Sequence, residues 1–162
     1  MLEDTSQSNR FSVLLAEDDK VMADVIRFNL ERAGYSVQVA RDGLAAWQFL
    51  QNERFDAAIL DYQMPGISGE EVTRRVRSDL GDGDLPIIFV SARGMELSFE
   101  RLHEQYQVYK LVFKPFSPRE LIQVVNDAIE SSTKSVIPVL PTPSFVRNPI
   151  LNRERVSLSH CE

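Results

Sequence analysis

Asp56 to Gly69 reads DAAILDYQMPGISG. A short apolar run, Ala57 to Leu60, ends in a single acid, Asp61, and breaks at Pro65-Gly66. An apolar run too short for a helix and bounded by turn residues is the signature of a strand covered on both faces. Asp61 then stands at the C-terminal edge of a central strand. In open parallel sheets ligand chemistry gathers at that edge, so the acid is a candidate site residue, although strand-end acids are also common turn formers.

Outward from this strand the chain repeats one rhythm. Upstream, Phe11 to Ala16 (FSVLLA) is apolar and runs into Glu17, Asp18 and Asp19. Helical spacing follows over Lys20 to Ala33, with Val21, Met22, Val25, Ile26, Leu30 and Ala33 as its apolar positions and Gly34 as C-cap. Tyr35 to Ala40 is a second strand, and Asp42-Gly43 leads into a helix over Leu44 to Gln51, where Trp47 reads as a packing residue. Downstream, a helix from Ser68 carries Val72, Val76 and Leu80 four apart on one stripe. The GDGD stretch at Gly81 to Asp84 reads as a solvated turn before the strand Leu85 to Val90, which leads to Ser91. A helix over Met95 to Glu104, a strand over Gln107 to Phe113 ending at Lys114-Pro115, and a helix over Pro118 to Ser131 started by Ser117 complete the series.

Composition bounds the function classes. The chain has 162 residues, 43% hydrophobic and 26% charged, which suits one soluble globular domain with an appendage. A net charge of -6 argues against bulk electrostatic binding of nucleic acid, and no stretch approaches a membrane span. The start, MLEDTSQSNR, is acidic and polar where a secretory signal would be basic and then apolar, so a cytoplasmic location is expected. One cysteine, Cys161, and two histidines, His103 and His160, supply no zinc-like ligand set.

Strands alternating with helices predict an α/β fold, a doubly wound five-stranded parallel sheet of flavodoxin-like order 2-1-3-4-5 with helices on both faces. Strands one and three are then neighbours, about 4.8 Å apart, so Glu17 and Asp18 face Asp61. Carboxylates that close repel by roughly 3 kcal/mol per pair at an effective dielectric near 20. Oxygen ligands of this kind suit magnesium, which takes one or two carboxylates plus waters and a phosphate. Ser91 and Lys114 bring a hydroxyl and an ammonium to the same edge. Each also has a plainer role, as a turn cap and as a solvated strand end.

Four stretches in order, LLAEDD, DYQMPGISG, VSA and FKPF, make residues 11–132 resemble the receiver domain of two-component response regulators. That resemblance implies a phosphorylation-dependent signalling switch, not an enzyme beyond its own phosphorylation and dephosphorylation. Asp61 would take a phosphoryl group from the phosphohistidine of a sensor histidine kinase or phosphotransfer protein, and the chain would signal by contact with a downstream protein target. Asp18, Asp61 and the backbone carbonyl of Gln63 would ligate Mg2+, with Glu17 acting through water. Lys114 would pair with the phosphoryl oxygens and Ser91 would reach them once phosphorylated. A cis Lys114-Pro115 bond is also implied. Arg93 and Gln63 lie where the family tunes phosphoryl lifetime; both are equally readable as inert surface.

The chain departs from the pattern in places. The family usually has an aromatic residue three positions before the lysine, and here Leu111 stands there. Gln107-Val108 replace the usual Gly-Ala, so the dimer geometry of DNA-binding regulators is not expected to carry over. A phosphatase of the haloacid dehalogenase-like group would need a second acid two residues after Asp61, where Gln63 stands. A constitutive receiver-like interaction module, or the receiver fragment of a longer regulator, are the remaining alternatives. Residues 1–10 read as a polar lead and residues 133–162, with prolines clustered from Pro138 to Pro149, as an extended tail or linker.

Overall fold

The computed structural model describes residues 10–92 and 97–134. Five parallel strands, β1 (Ser12–Ala16), β2 (Ser36–Ala40), β3 (Ala57–Asp61), β4 (Ile87–Ser91) and β5 (Lys110–Phe113), lie in the order β2-β1-β3-β4-β5. The helices α1 (Lys20–Arg32), α2 (Gly43–Asn52), α3 (Gly69–Ser78), α4 (Phe99–Tyr106) and α5 (Pro118–Lys134) join them. The expected doubly wound fold is thus the observed one.

Period-two alternation splits the strand residues between two cores. Leu14, Ala58, Leu60, Ile87, Phe89 and Leu111 pack with Trp47 of α2, Val72 and Val76 of α3, and Leu102 of α4. Val13, Leu15, Ile59, Ile88, Val90 and Val112 pack with Ala23, Ile26 and Leu30 of α1, and Leu121, Val125 and Ile129 of α5. Each large side chain buried this completely contributes about 1.5–3 kcal/mol, enough for two such layers to hold the sheet.

Side-chain oxygens cap the helices. Asp19 accepts from the Met22 amide at 2.8 Å, Asp42 from Ala45 at 2.7 Å, Ser68 from Glu71 at 3.1 Å and Ser98 from Arg101 at 3.2 Å. Each satisfies an amide that has no intrahelical partner. Gly34, at φ 100°, follows α1 in the left-handed conformation expected after a helix end. Asp82 accepts from both the Asp84 and Leu85 amides at 3.0 Å, so the GDGD stretch is an Asx-type turn.

Several boundaries differ from expectation. Leu80 is not on the α3 stripe: the helix ends at Ser78, capped by Asp79, and Leu80 is largely exposed. β4 begins at Ile87 rather than Leu85, because Pro86 has no amide for the ladder. α4 begins at Phe99, since Ser98 is its cap and Leu97 is not helical. β5 begins only at Lys110, because Gln107 adopts the left-handed conformation (φ 53°) as the C-cap of α4. In α1 the buried positions are Ala23, Ile26 and Leu30, while Val21 and Val25 face outward with Phe28. α5 continues to Lys134, past the expected boundary at residue 132. The expected tail beyond Lys134, with Cys161 and His160, lies outside the described residues, as do most of the polar lead and Arg93.

Candidate functional site

The C-terminal edge of the sheet gathers the polar strand ends. β1 and β3 pair with Ala16 opposite Leu60, so the next residues, Glu17 and Asp61, lie side by side. Strand parity sends both side chains, and Lys114 beyond β5, toward the same face. The Lys114 ammonium accordingly reaches Glu17 Oε2 at 2.8 Å and Asp61 Oδ2 at 3.0 Å. Asp61 Oδ1 accepts from the Gln63 amide at 3.0 Å, and Glu17 Oε1 from the Asp19 amide at 3.2 Å. Asp18 is exposed beside them, and Glu17, Asp18 and Asp61 each offer a carboxylate oxygen within 4.8 Å of the other two.

This is a high-energy arrangement. Burial raises the Glu17 carboxyl above its ordinary value against the pull of Lys114, and the neighbouring Asp61 charge adds to the rise. For Lys114 burial alone would lower the ammonium, but its bonds to Glu17 and Asp61 and their charges outweigh it, so the net direction is upward. Lys114 thus remains a cation, spanning two of the three acids. The donor set, three carboxylates with Asp18 open to solvent, fits a hard divalent cation that keeps several waters.

Ser91, buried, ends β4 on the opposite parity, and its carbonyl accepts from the Lys114 amide at 2.8 Å. That bond seats Lys114 beside the edge, and the Lys114-Pro115 peptide is cis. Gln63 is exposed in the turn after β3. Asp19, in the same acidic run as Glu17 and Asp18, is the α1 cap.

Two glycines shape the segment after Asp61. A Cβ on Gly69 would lie 2.4 Å from the Asp61 carbonyl oxygen, and one on Gly43 would lie 1.9 Å from that of Ile67. Neither contact leaves room for a side chain, so α3 and α2 approach the 61–68 segment as closely as backbone permits. Leu111 is buried in the α2–α4 core, as its apolar character demands.

Comparison with known proteins assigns the family. The family model for the response regulator receiver domain matches residues 13–126. The chain belongs to the response regulator receiver domain family. It is 30% identical to the solved receiver domain of a Francisella response regulator, covering 76% of this chain and 99% of that one with a TM-score of 0.67. A receiver domain of a sensor histidine kinase from Pseudomonas aeruginosa, 28% identical, covers 75% of this chain and 98% of its own at TM-score 0.67. That domain has a magnesium ion coordinated in its active site cleft. A CheY-like receiver protein from Methanospirillum hungatei, 22% identical with TM-score 0.70 over 78% of this chain and 98% of its own, shares the fold. The chain is therefore a receiver domain of two-component systems, and among its described residues no helix is long and apolar enough to cross a membrane.

The sequence reading assigned no role to Tyr62, Glu70 or Arg101. The structure joins them: the Tyr62 hydroxyl donates to Glu70 Oε2, and Arg101 donates to Glu70 Oε1 at 2.9 Å and Oε2 at 3.2 Å.

Proposed function

We propose that this receiver is a phosphorylation switch in which Asp61 is the acceptor. The observation that carries the reading is the convergence of Glu17, Asp18 and Asp61 within 4.8 Å, with the Lys114 ammonium 3.0 Å from Asp61. A carboxylate oxygen of Asp61 attacks the phosphorus of a donor phosphohistidine. The P–N bond breaks, its electron pair leaves with the imidazole nitrogen, and an acyl phosphate forms. Lys114 is held where it can follow the transferred oxygens, and the Gln63 amide fixes the carboxylate's orientation. Asp18, Asp61 and the Gln63 carbonyl would hold Mg2+, with Glu17 acting through water. When bound, that ion offsets charge on the transferring group. The Ser91 hydroxyl would then meet the phosphoryl oxygens.

The partners that follow are a sensor histidine kinase or a histidine phosphotransfer protein, and a downstream protein target met by contact, in the cytoplasm. Gln63 cannot supply the second acid that a phosphatase of the haloacid dehalogenase-like group would use, so chemistry limited to the receiver's own phosphorylation and dephosphorylation is the better fit. Incubation with acetyl phosphate and Mg2+, followed by intact mass measurement, tests the reading. A gain of about 80 Da is expected in the native protein and none in Asp61→Asn. An equal gain in that variant at an acid-stable residue overturns the acceptor assignment.

A further inference from the structure

Among the described residues four polar side chains are buried: Glu17, Asp61, Ser91 and Thr73. The first three stand at the C-terminal edge of the sheet and belong to the site already described. Thr73, in α3, has no part in it. Its hydroxyl donates to the Gly69 carbonyl, one turn back, at 2.8 Å. In an α-helix that carbonyl also takes the Thr73 amide, so it has a partner without the hydroxyl. Burying a hydroxyl carries a desolvation cost that valine, of nearly the same shape, would not. Packing alone therefore does not account for a threonine here.

Gly69 is where α3 meets the acceptor strand. Its amide donates to the Tyr62 carbonyl at 3.1 Å, and a Cβ on it would lie 2.4 Å from the Asp61 carbonyl oxygen. Helical spacing sets Thr73 on the same face as Gly69. At the other end of the segment the Tyr62 amide donates to the Val90 carbonyl at 2.9 Å, and Asp61 Oδ1 accepts from the Gln63 amide at 3.0 Å. Residues 63–68 thus form a turn closed between Tyr62 and Gly69. A hydroxyl that bonds the carbonyl four residues back competes with the helix amide and bends the turn it spans. In this chain that turn is the first of α3, whose backbone lies against Asp61.

We infer that Thr73 is a positioning residue: its hydroxyl sets the tilt of the first turn of α3 and, through Gly69, holds the turn that carries the Gln63 carbonyl. The inference rests on the reading of Asp61 as acceptor with Mg2+ beside it, and adds a residue to that site. Thr73 touches neither the cation nor the reacting atoms, and it acts through the Gly69–Tyr62 bond. Thr73→Val removes the hydroxyl and keeps the volume. The first turn then relaxes toward regular helix, the Gly69–Tyr62 bond weakens and the Gln63 carbonyl is held less firmly. Stability need not suffer, because the Gly69 carbonyl keeps its amide partner and no buried group is orphaned.

The test compares native protein, Thr73→Val and Thr73→Ser as whole chains. Three quantities are read: exchange of the Gly69 amide by NMR without Mg2+, relative to the Val125 amide of α5; the Mg2+ concentration for half-maximal phosphorylation by acetyl phosphate; and the urea midpoint. Thr73→Val is expected to exchange Gly69 about two- to tenfold faster and to need about two- to tenfold more Mg2+, the range for one hydrogen bond. Its rate at saturating Mg2+ should change little, and its urea midpoint should equal or exceed the native one. Thr73→Ser should do the reverse, with a lower midpoint from the lost methyl but native Gly69 exchange and Mg2+ requirement. Unchanged Gly69 exchange or an unchanged Mg2+ requirement in Thr73→Val overturns the inference, as does failure of Thr73→Ser to restore both. A Thr73→Val chain that does not fold, or that exchanges faster in every helix, makes the hydroxyl a structural bond only and also overturns it. Should native protein gain no mass from acetyl phosphate, the acceptor reading falls. Gly69 exchange, which needs neither Mg2+ nor a phosphoryl donor, then judges Thr73 alone: faster exchange in Thr73→Val with native exchange in Thr73→Ser supports its role, and equal exchange overturns it.

Discussion

Glu17, Asp18 and Asp61 place three carboxylates within 4.8 Å of one another, and Lys114 offsets one charge of the three. Without a cation, the remaining repulsion opposes folding, and residues arranged for chemistry commonly cost stability in this way. Asp61→Asn keeps an acceptor oxygen for Lys114 and for the Gln63 amide while removing one negative charge. In Mg2+-free buffer it should therefore be more stable than native protein, by about 1 kcal/mol in urea denaturation. A less stable variant would show that the Lys114–Asp61 pair outweighs the repulsion. Gly69 tests geometry at the same residue. Alanine is favoured over glycine by about 1 kcal/mol within a helix, yet a Cβ here would lie 2.4 Å from the Asp61 carbonyl oxygen and 3.2 Å from Phe89. Gly69→Ala is expected to destabilise by about 1–3 kcal/mol, as overpacking does, and to slow phosphorylation by acetyl phosphate. Equal stability and rate would mean that α3 can withdraw freely.

The ends of the elements were legible where a single residue decides them. Ser68 and Ser117 each stop one kind of structure and start another, and Ser117 does accept from the Glu120 amide at 3.1 Å. Ends set by distant packing were not. Leu80 continues a four-residue spacing but follows a cap at Asp79, and α4 starts at Phe99 rather than where its apolar residues begin. The acidic edge could be read because parallel pairing brings strand ends together whatever the intervening sequence. No such rule joins Glu70 to Arg101, since the approach of α3 to α4 is set by packing that sequence spacing does not encode. That pair makes α4 sensitive to acid. Hydrogen bonds from Arg101, against partial burial and with help from Tyr62, hold the Glu70 carboxyl below its ordinary 4.5. A depressed acid contributes stability that is present above its unfolded value and is lost as pH falls through its folded one. Amide protection over residues 99–106 should therefore fall relative to α5 as pH drops below about 4.5. Glu100, also depressed, and Glu71, at about 2, titrate nearby, so Glu70→Gln provides the control and should lack the relative loss. An identical pH profile in that variant would assign the effect to those neighbours.

On the scale of the whole molecule, both faces of the sheet are closed by helices drawn from residues 10–134. Two side-chain layers meet every strand, and Ile129 in the last helix still packs into the core shared with β1, β3 and β4. The family match, residues 13–126, falls inside the same limits. A sheet whose two apolar faces are already covered needs no further element for cooperative folding. Residues 135–162 should then be dispensable for phosphoryl chemistry. Their value would lie in contacts with partners or in tethering, as suits a segment with Val136, Ile137, Val139 and Leu140 set among prolines. A chain cut to residues 10–134 is expected to unfold in urea at the native midpoint and to gain about 80 Da from acetyl phosphate at the native rate. The cut must follow Lys134. Ending at residue 131 instead would remove Ser132 and Thr133, whose hydroxyls donate to the Ala128 and Ile129 carbonyls, and would expose the last turn beneath Ile129. The shorter truncation should therefore lose stability that the longer one keeps. Lost phosphorylation or a lowered midpoint in the 10–134 chain would show that residues beyond Lys134 complete the fold.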